Sequence, residues 1–135
     1  MPAVPERRSP SGGSTGGGRD DRLSVVALRC RCHIGVTEDE RRERQKLEID
    51  LDLYADLEEA GRTGDLARTI DYRDLCDRVR GLLEEGHWHL VEAAAVAVLD
   101  RVFDRWRQVG RAVVRVRKYV LPDVAHVEVE MERRR

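Results

Sequence analysis

Large aromatic residues are scarce in this 135-residue chain, which contains two Trp, three Tyr and one Phe. A small domain with so few rings has little core of its own, so we expect it to associate with other copies. The three cysteines are odd in number and follow no secretion signal, which predicts free thiols in a reducing cytoplasm. No apolar run reaches membrane-spanning length, so we expect no membrane segment.

The chain also lacks an excess of charge of either sign, because 25 basic residues balance 26 acidic ones. The one basic cluster, three arginines at 133–135, gives no general electrostatic basis for binding nucleic acid. The sequence contains no phosphate-binding P-loop, no dinucleotide-binding glycine motif and no serine-hydrolase elbow. These absences argue against nucleic-acid-binding proteins and against those enzyme classes.

Residues 1–21 differ in composition from the rest, with three of the four prolines and almost no large apolar side chain. Such a segment cannot bury enough surface to offset its ordering entropy. We therefore expect a flexible N-terminal tail at 1–21 and a single domain at 22–135.

Hydrophobic periodicity predicts four strands and two helices. In the clearest strand, 46–54, leucine and isoleucine alternate with acidic residues, so one face is expected to be covered and the other solvated. Further strands are predicted at 22–32, 111–120 and 124–133. Helices are predicted at 72–85, with Asp71 as N-cap, and at 89–108. The order β-β-α-α-β-β predicts an α+β fold in which a four-stranded antiparallel sheet carries both helices on one face.

Three polar side chains lie on faces that are otherwise apolar. Tyr72 begins the apolar stripe of the first helix, and Glu92 opens a stripe of the second that runs through positions 96, 99, 103 and 106. Lys118 has the parity of the valines in its strand, whereas Arg115 and Arg117 point to the opposite face. Considered one at a time, Tyr72 is interpreted as a core residue, Glu92 as an acid that interacts favourably with the helix dipole, and Lys118 as a lysine whose ammonium reaches water. Together they form a candidate constellation for proton transfer.

A zinc site is the main alternative among the ionisable groups. Cys30, Cys32 and His33 form C-x-C-H, and His87, His89 and His126 supply further nitrogens. A second paired-ligand motif is lacking, and C-x-C in a strand places both thiols on one face for purely structural reasons. We therefore predict that the chain uses no metal and no other cofactor.

Four segments, in order, resemble the dihydroneopterin aldolase family, which includes dihydroneopterin triphosphate 2′-epimerase. They are HIGVTEDERRERQKLEIDLDL (33–53), DLARTIDY (65–72), HLVE (89–92) and the lysine that closes the third strand, Lys118. The resemblance spans 23–133, which is nearly everything except the tail. It implies the tunnelling fold, in which sheets from several subunits join into a barrel, and homotetramers that often stack as octamers.

The resemblance also implies catalytic roles. Glu40 is the acid of the G-x-x-x-x-E segment and is implied to lie in the active site, which would explain the dense run of charge before the second strand. Lys118 is the residue tied most closely to proton transfer. Tyr72 is implied to reach a site that belongs to the neighbouring subunit.

Substrate binding is implied for a second set of residues. Glu92 would bind the 2-amino and ring N–H edge of a pterin through charge-assisted hydrogen bonds. The backbone donors of the same helical turn, at Leu90 and Val91, are a natural place for a polar ligand. Asp71, which precedes Tyr72, completes the set of expected binding residues.

The activity implied is retro-aldol cleavage of 7,8-dihydroneopterin in folate biosynthesis, without metal or Schiff base. Lys118 is followed by Tyr119 rather than by the proline common in aldolases, so 2′-epimerisation of dihydroneopterin or its triphosphate stays open. Arg115, Arg117 or the terminal arginines could bind a triphosphate. Two alternatives remain in other classes: a non-catalytic pterin- or purine-binding protein, and a zinc-dependent relative such as a cyclohydrolase.

Overall fold

A computed structural model of the chain describes residues 20–135, so nearly all of the predicted N-terminal tail lies outside the described residues. The strands are β1 (Asp21–Ile34), β2 (Arg44–Ala55), β3 (His87–Trp88), β4 (Arg111–Lys118) and β5 (Val127–Arg134). The helices are α1 (Glu38–Arg41), α2 (Glu58–Thr63), α3 (Tyr72–Glu85) and α4 (Val91–Arg105). Between residues 20 and 135, no helix is both long and apolar enough to cross a membrane.

The strands form one sheet in the order β3-β1-β2-β4-β5. Within residues 20–135, the pairs β1–β2, β2–β4 and β4–β5 are antiparallel, and β3 alone runs parallel to its neighbour β1. The predicted α+β class and the four antiparallel strands are therefore confirmed, but the sheet of this described part has five strands rather than four. The additional strand, β3, is two residues long, too short to show any hydrophobic alternation in the sequence.

The core lies between one face of this sheet and the long helices α3 and α4. The leucine and isoleucine side chains of β2 all point to this face, as their alternation predicted. They pack with buried residues of β1, α3, α4 and β4 in one cluster. Among its fully buried members are Leu47, Ile49, Leu51, Leu53, Leu75, Val79, Leu83, Val98, Leu99 and Val102.

The prediction that the acidic face of β2 is solvated is wrong at two positions. Asp50 and Asp52 are 3% and 1% exposed. Arg117 donates to both carboxylate oxygens of Asp50, at 2.7 and 2.8 Å, and Arg115 donates to Asp52 at 2.8 Å. Alternation reveals which way a side chain points, but not that guanidinium groups from the adjacent strand cover it. The paired charges make this burial tolerable.

An irregularity in β1 contributes to the same arrangement. The pairing of β1 with β2 shifts register between Val25 and Leu28, and Ala27 has φ of 56°. A positive φ is rare for a residue with a Cβ. The Ala27 N–H donates to Asp50 Oδ1 at 2.8 Å. The buried Asp50 carboxylate therefore stabilises the bulge in β1 in addition to binding the Arg117 guanidinium.

The first long helix begins as predicted, although its first residue does not point inward. Asp71 is the N-cap of α3, and its carboxylate accepts from the N–H groups of Arg73 and Asp74. Tyr72 is 65% exposed, which corrects the expectation that it begins the buried stripe. The buried residues of α3 are instead Leu75, Val79 and Leu83.

The apolar stripe predicted for the second helix is wrong only in its first half. Glu92 is exposed and Val96 is 37% exposed, whereas Leu99 and Trp106 are buried and Phe103 packs against the core, as expected. The face turned to the core contains Ala94, Ala95, Val98, Leu99 and Val102. Because alanine scores weakly as an apolar residue, the first half of the stripe was assigned to Glu92 and Val96 instead of to the face that Ala94 and Ala95 form.

Candidate active site

The strands β1, β2 and β4 have ends close together, at the end of the sheet that we call the Lys118 edge. Leu47, near the start of β2, pairs with Lys118 at the end of β4. Gln45 donates from its side chain to the carbonyl of Ile34, the last residue of β1, at 2.5 Å. This edge therefore brings together loops and termini from three neighbouring strands, which is where a scaffold commonly carries its functional groups.

Lys118 is buried at this edge, on the core-facing side of β4. Its residue exposure is 7%, and Val114 and Val116 are buried on the same side. Arg115 and Arg117 point to the opposite face, as the strand parity predicted. The Lys118 ammonium lies 3.5 Å from Glu40 Oε2, so a charged group with little solvent access has a carboxylate partner.

Glu40 is held by the short helix α1. Thr37 is the N-cap, and its hydroxyl accepts from the Glu40 N–H at 3.2 Å while lying 3.3 Å from Glu40 Oε1. The sequence pattern is the T-x-x-E of a capping box, and the Thr37 hydroxyl contacts both the backbone N–H and the carboxylate of Glu40. Gly35 allows the close approach, because a Cβ at that position would overlap the Glu40 side chain. The pattern was present in the sequence and could have identified Thr37 as a supporting residue.

The environment of Glu40 favours its ionised form. Partial burial opposes the charge, but hydrogen bonds from Thr37 and the nearby Lys118 ammonium outweigh it and hold the pKa of Glu40 below its ordinary value. A carboxylate is therefore present at neutral pH beside a lysine. Glu40 also borders an open groove of about 660 Å³, which gives it access to solvent and small molecules.

Two further side chains fix the segment that carries Glu40. Arg41 Nη1 donates to the carbonyls of Gly35 and Val36 at 2.8 and 2.9 Å. Gln45 Nε2, besides its bond to β1, donates to the Glu40 carbonyl at 2.8 Å. Neither contact has a recognisable sequence signal, because both depend on how the chain folds back between β1 and β2.

The first turn of α4 lies at the same edge of the sheet. The Gly35 N–H donates to the Trp88 carbonyl at 2.9 Å, and α4 begins three residues after Trp88. Leu90 is the N-cap and contributes no side-chain cap. The N–H groups of Ala93 and Ala94 donate to the Leu90 carbonyl, so the first-turn donors without an intrahelical partner are those of Val91 and Glu92. Glu92 is exposed in this turn. The geometry thus offers backbone donors and a carboxylate acceptor side by side.

Tyr72 and Asp71 lie at the opposite edge. Arg44, at the start of β2, is 4.0 Å from Glu84 near the C-terminus of α3, so this end of the helix adjoins the Lys118 edge. The 14 residues of α3 span roughly 20 Å, which places Tyr72 far from Lys118 within one chain. There Tyr72 and Asp71 border a separate cavity of about 300 Å³.

The structure therefore unites some predicted site residues and separates others. It joins Lys118 to Glu40 and places the turn of Leu90, Val91 and Glu92 at the same edge. It does not bring Tyr72 or Asp71 to these groups within the chain.

The two cysteines of β1 lie near the same end of the sheet, because Cys30 pairs with Leu47, which pairs with Lys118. Cys30 and Cys32 are buried on the core face of β1, and their hydrogen bond together with burial raises the pKa of the Cys30 thiol. Across residues 20–135, no group of three or more His, Cys, Asp or Glu side chains is arranged to hold a metal ion. The paired thiols are thus part of the packed core.

Comparison with known proteins is consistent across sequence and structure. The family model described as dihydroneopterin aldolase (FolB) matches residues 23–132. A dihydroneopterin aldolase from Methylorubrum extorquens is 31% identical over 114 residues, covering 81% of this chain and 88% of that protein.

Two solved structures show the same fold. FolB from Vibrio cholerae superposes with a TM-score of 0.82 at 31% identity, covering 86% of this chain and 98% of that one. Dihydroneopterin aldolase from E. coli, in complex with neopterin, gives a TM-score of 0.80 at 26% identity, covering 84% and 98%. The predicted tunnelling fold is thereby confirmed, and the chain belongs to the dihydroneopterin aldolase family.

Proposed function

We propose that this chain cleaves 7,8-dihydroneopterin by a retro-aldol reaction to 6-hydroxymethyl-7,8-dihydropterin and glycolaldehyde, in tetrahydrofolate biosynthesis. The observation that carries the proposal is the buried Lys118 ammonium at 3.5 Å from the Glu40 carboxylate. This acid–base pair lies at the edge where the first turn of α4 presents Glu92. Family membership and this arrangement support the same activity.

The substrate supplies the electron sink that other aldolases take from a metal or a lysine Schiff base. Removal of the C2′ hydroxyl proton and cleavage of the C1′–C2′ bond release glycolaldehyde. The electron pair enters the C6=N5 imine of the dihydropterin, and the resulting enamine takes up a proton at C1′. The protein needs only to orient the ring and move two protons, a task that Lys118 and Glu40 can share directly or through water.

Glu92 is proposed to orient the ring. An ionised carboxylate can accept two parallel hydrogen bonds from adjacent donors, such as the 2-amino group and ring N–H of a pterin. The N–H groups at the start of α4, beside Leu90 and Val91, supply donors for ring acceptors. The E. coli relative was solved with neopterin bound, which supports a pterin as ligand.

The position of Tyr72 supports a site shared between copies of the chain. Tyr72 and Asp71 lie at the edge opposite Lys118 and Glu40, and the Tyr72 side chain is largely exposed. A second copy that sets its Tyr72 edge against the Lys118 edge would complete the site. Asp71 would then act mainly by fixing the start of α3, since its carboxylate already caps the helix.

The outermost strands of the sheet, which have unpaired backbone groups, suggest how copies associate. Within residues 20–135, β3 covers β1 only at His33 and Ile34, and β5 has β4 as its one neighbouring strand. Unpaired edges invite strand pairing. If the β1 edge of one copy pairs with the β5 edge of the next, the copies form a head-to-tail closed ring, which we propose to be a homotetramer able to stack as an octamer.

Epimerisation at C2′ is the second candidate, because Lys118 is followed by Tyr119 instead of proline. The arginines that could have bound a triphosphate are otherwise engaged. Arg115 and Arg117 pair with Asp52 and Asp50 on the face away from the helices. The terminal arginine side chains contact Asp100, Glu132 and carbonyl groups in the last turn of α4 and just after it. These contacts favour the unphosphorylated substrate.

The test is to incubate the assembled protein separately with dihydroneopterin and its triphosphate, measuring glycolaldehyde and the 2′-epimer. The proposal predicts one glycolaldehyde per dihydroneopterin consumed and little reaction of the triphosphate. Epimer without glycolaldehyde would identify the second candidate. Neopterin binding without consumption of either substrate would indicate a binding protein.

A further inference from the structure

The turn that carries Glu40 has a tether that its helix cap does not explain. His33, the penultimate residue of β1, places its Nδ1 2.6 Å from the carbonyl oxygen of Arg41, at the end of α1. A carbonyl can only accept a hydrogen bond, so the His33 ring carries a proton on Nδ1 and donates it. This contact connects the rigid sheet directly to the residue that follows Glu40.

The His33 ring is itself held in place by a second ring. His33 and His87 are partners in the parallel pairing of β1 with β3, and their rings stack with centroids 4.7 Å apart and planes 6° apart. Stacking fixes the plane of the His33 ring and so directs its Nδ1–H. The strand β3 therefore supports the His33 ring, in addition to pairing with β1 at two positions.

The two ends of Arg41 are therefore fixed by different partners. Its carbonyl accepts from His33, and its guanidinium donates to Gly35 and Val36. Glu40 directly precedes Arg41, so these contacts also fix its position. Its carboxylate must stay within reach of Lys118 for proton transfer. A displacement of about 1 Å at a catalytic group can lower a rate by up to roughly 100-fold.

We propose that His33 is a positioning residue for Glu40, acting through the Arg41 carbonyl with His87 as the support for its ring. This inference rests on the proposed function, because it assigns Glu40 a part in the chemical step. It predicts that loss of the His33 donor lowers the rate of cleavage while leaving ring binding at Glu92 intact.

Three variants distinguish the effect of the Nδ1–H donor of His33 from the effect of its aromatic ring. His33→Phe keeps an aromatic ring for stacking but removes the donor, whereas His33→Asn places an amide N–H where Nδ1 lies. His126→Phe is the matched control, because His126 is an exposed residue whose ring contacts Tyr119 rather than the Arg41 carbonyl. For each variant we would measure kcat and KM with dihydroneopterin, and Kd for neopterin.

The expected result for His33→Phe is a fall in kcat of about 10-fold, with KM and neopterin Kd changed by less than about twofold. His33→Asn should recover kcat to within about threefold of wild type, and His126→Phe should match wild type. An unchanged kcat in His33→Phe, or an equal loss in His33→Asn, would overturn the proposal. So would a loss confined to neopterin binding.

Hydrogen exchange of residues 36–43 supplies a readout that does not depend on turnover. Exchange in this segment should be faster in His33→Phe than in wild type and in His126→Phe, because the turn loses its tether to β1. Equal exchange in all three proteins would overturn the positioning role. A wild-type protein that consumed no dihydroneopterin would count against the proposed function alone, since the exchange comparison would still decide the role of His33.

Discussion

Lys118 and Glu40 form an ion pair at 3.5 Å, although one closes a strand near the end of the domain and the other sits in a turn near its start. The pair is asymmetric, because Lys118 is buried and Glu40 borders an open groove. The lysine is thus protected from solvent while its partner remains accessible to a substrate. This difference in exposure is the basis of the first prediction.

Replacement of Lys118 by methionine should abolish proton transfer without removing the ring-binding turn. We expect kcat to fall by at least about 100-fold, with neopterin Kd changed by less than about threefold. Lys46→Met, which removes an exposed lysine of β2, should be close to wild type in both quantities. Full turnover in Lys118→Met would exclude the assigned role.

The same variant makes a prediction about protonation. Because the Lys118 ammonium helps to keep the pKa of Glu40 low, its loss should raise that pKa toward the ordinary glutamate value. Wild-type Glu40 should therefore stay ionised to a lower pH than Glu40 of the variant. A carbon-13 NMR titration of the Glu40 carboxyl measures this, and identical titration curves would contradict the effect of Lys118.

Substitution of Gly35 by alanine should displace the catalytic turn. The added Cβ would overlap the Glu40 side chain, so the turn must move or the domain lose stability. We expect kcat to drop by about 10-fold or more, measured with dihydroneopterin. Gly81→Ala is the control, because a Cβ at that position of α3 meets nothing within 4 Å. It should stabilise the domain by about 0.5–1 kcal/mol with no change in kcat.

The buried charges on the outer face of the sheet can be tested by denaturation. Asp50→Ala would leave the Arg117 guanidinium without its bidentate partner and the Ala27 N–H without its acceptor. We expect the free energy of unfolding to fall by about 3–5 kcal/mol. Glu128→Ala removes an exposed partner of the same arginine and should cost at most about 1 kcal/mol. Equal effects would show that burial of Asp50 is unimportant.

Local patterns predicted the elements of the fold because those patterns are themselves local. The alternation in β2 identified its core-facing residues, and Asp71 was identified as the N-cap of α3 from its place before an apolar stripe. Strand parity separated Lys118 from the arginines beside it. The two-residue strand β3 was missed, because pairing over two positions leaves no periodic signal.

The burial of a side chain was harder to predict from the sequence than the face of the strand or helix on which it lies. Asp50 looked solvated, since a sequence does not show which side chains from a neighbouring strand cover it. Tyr72 looked buried because it begins an apolar stripe, yet it lies in the first turn of α3 with its side chain largely exposed. The meeting of Lys118 with Glu40 came from family resemblance, not from spacing. No local pattern relates two residues so distant in the chain.

The central claim is that a complete site needs Lys118 from one subunit and Tyr72 from its neighbour, and mixed oligomers test it most directly. Lys118→Met and Tyr72→Phe chains are each expected to be nearly inactive alone. After they are unfolded together and reassembled in equal amounts, about a quarter of the sites in a head-to-tail ring should carry both native residues. The account predicts that glycolaldehyde release returns to about that fraction of the wild-type rate. Activity no higher than the average of the two separate variants would contradict a shared site.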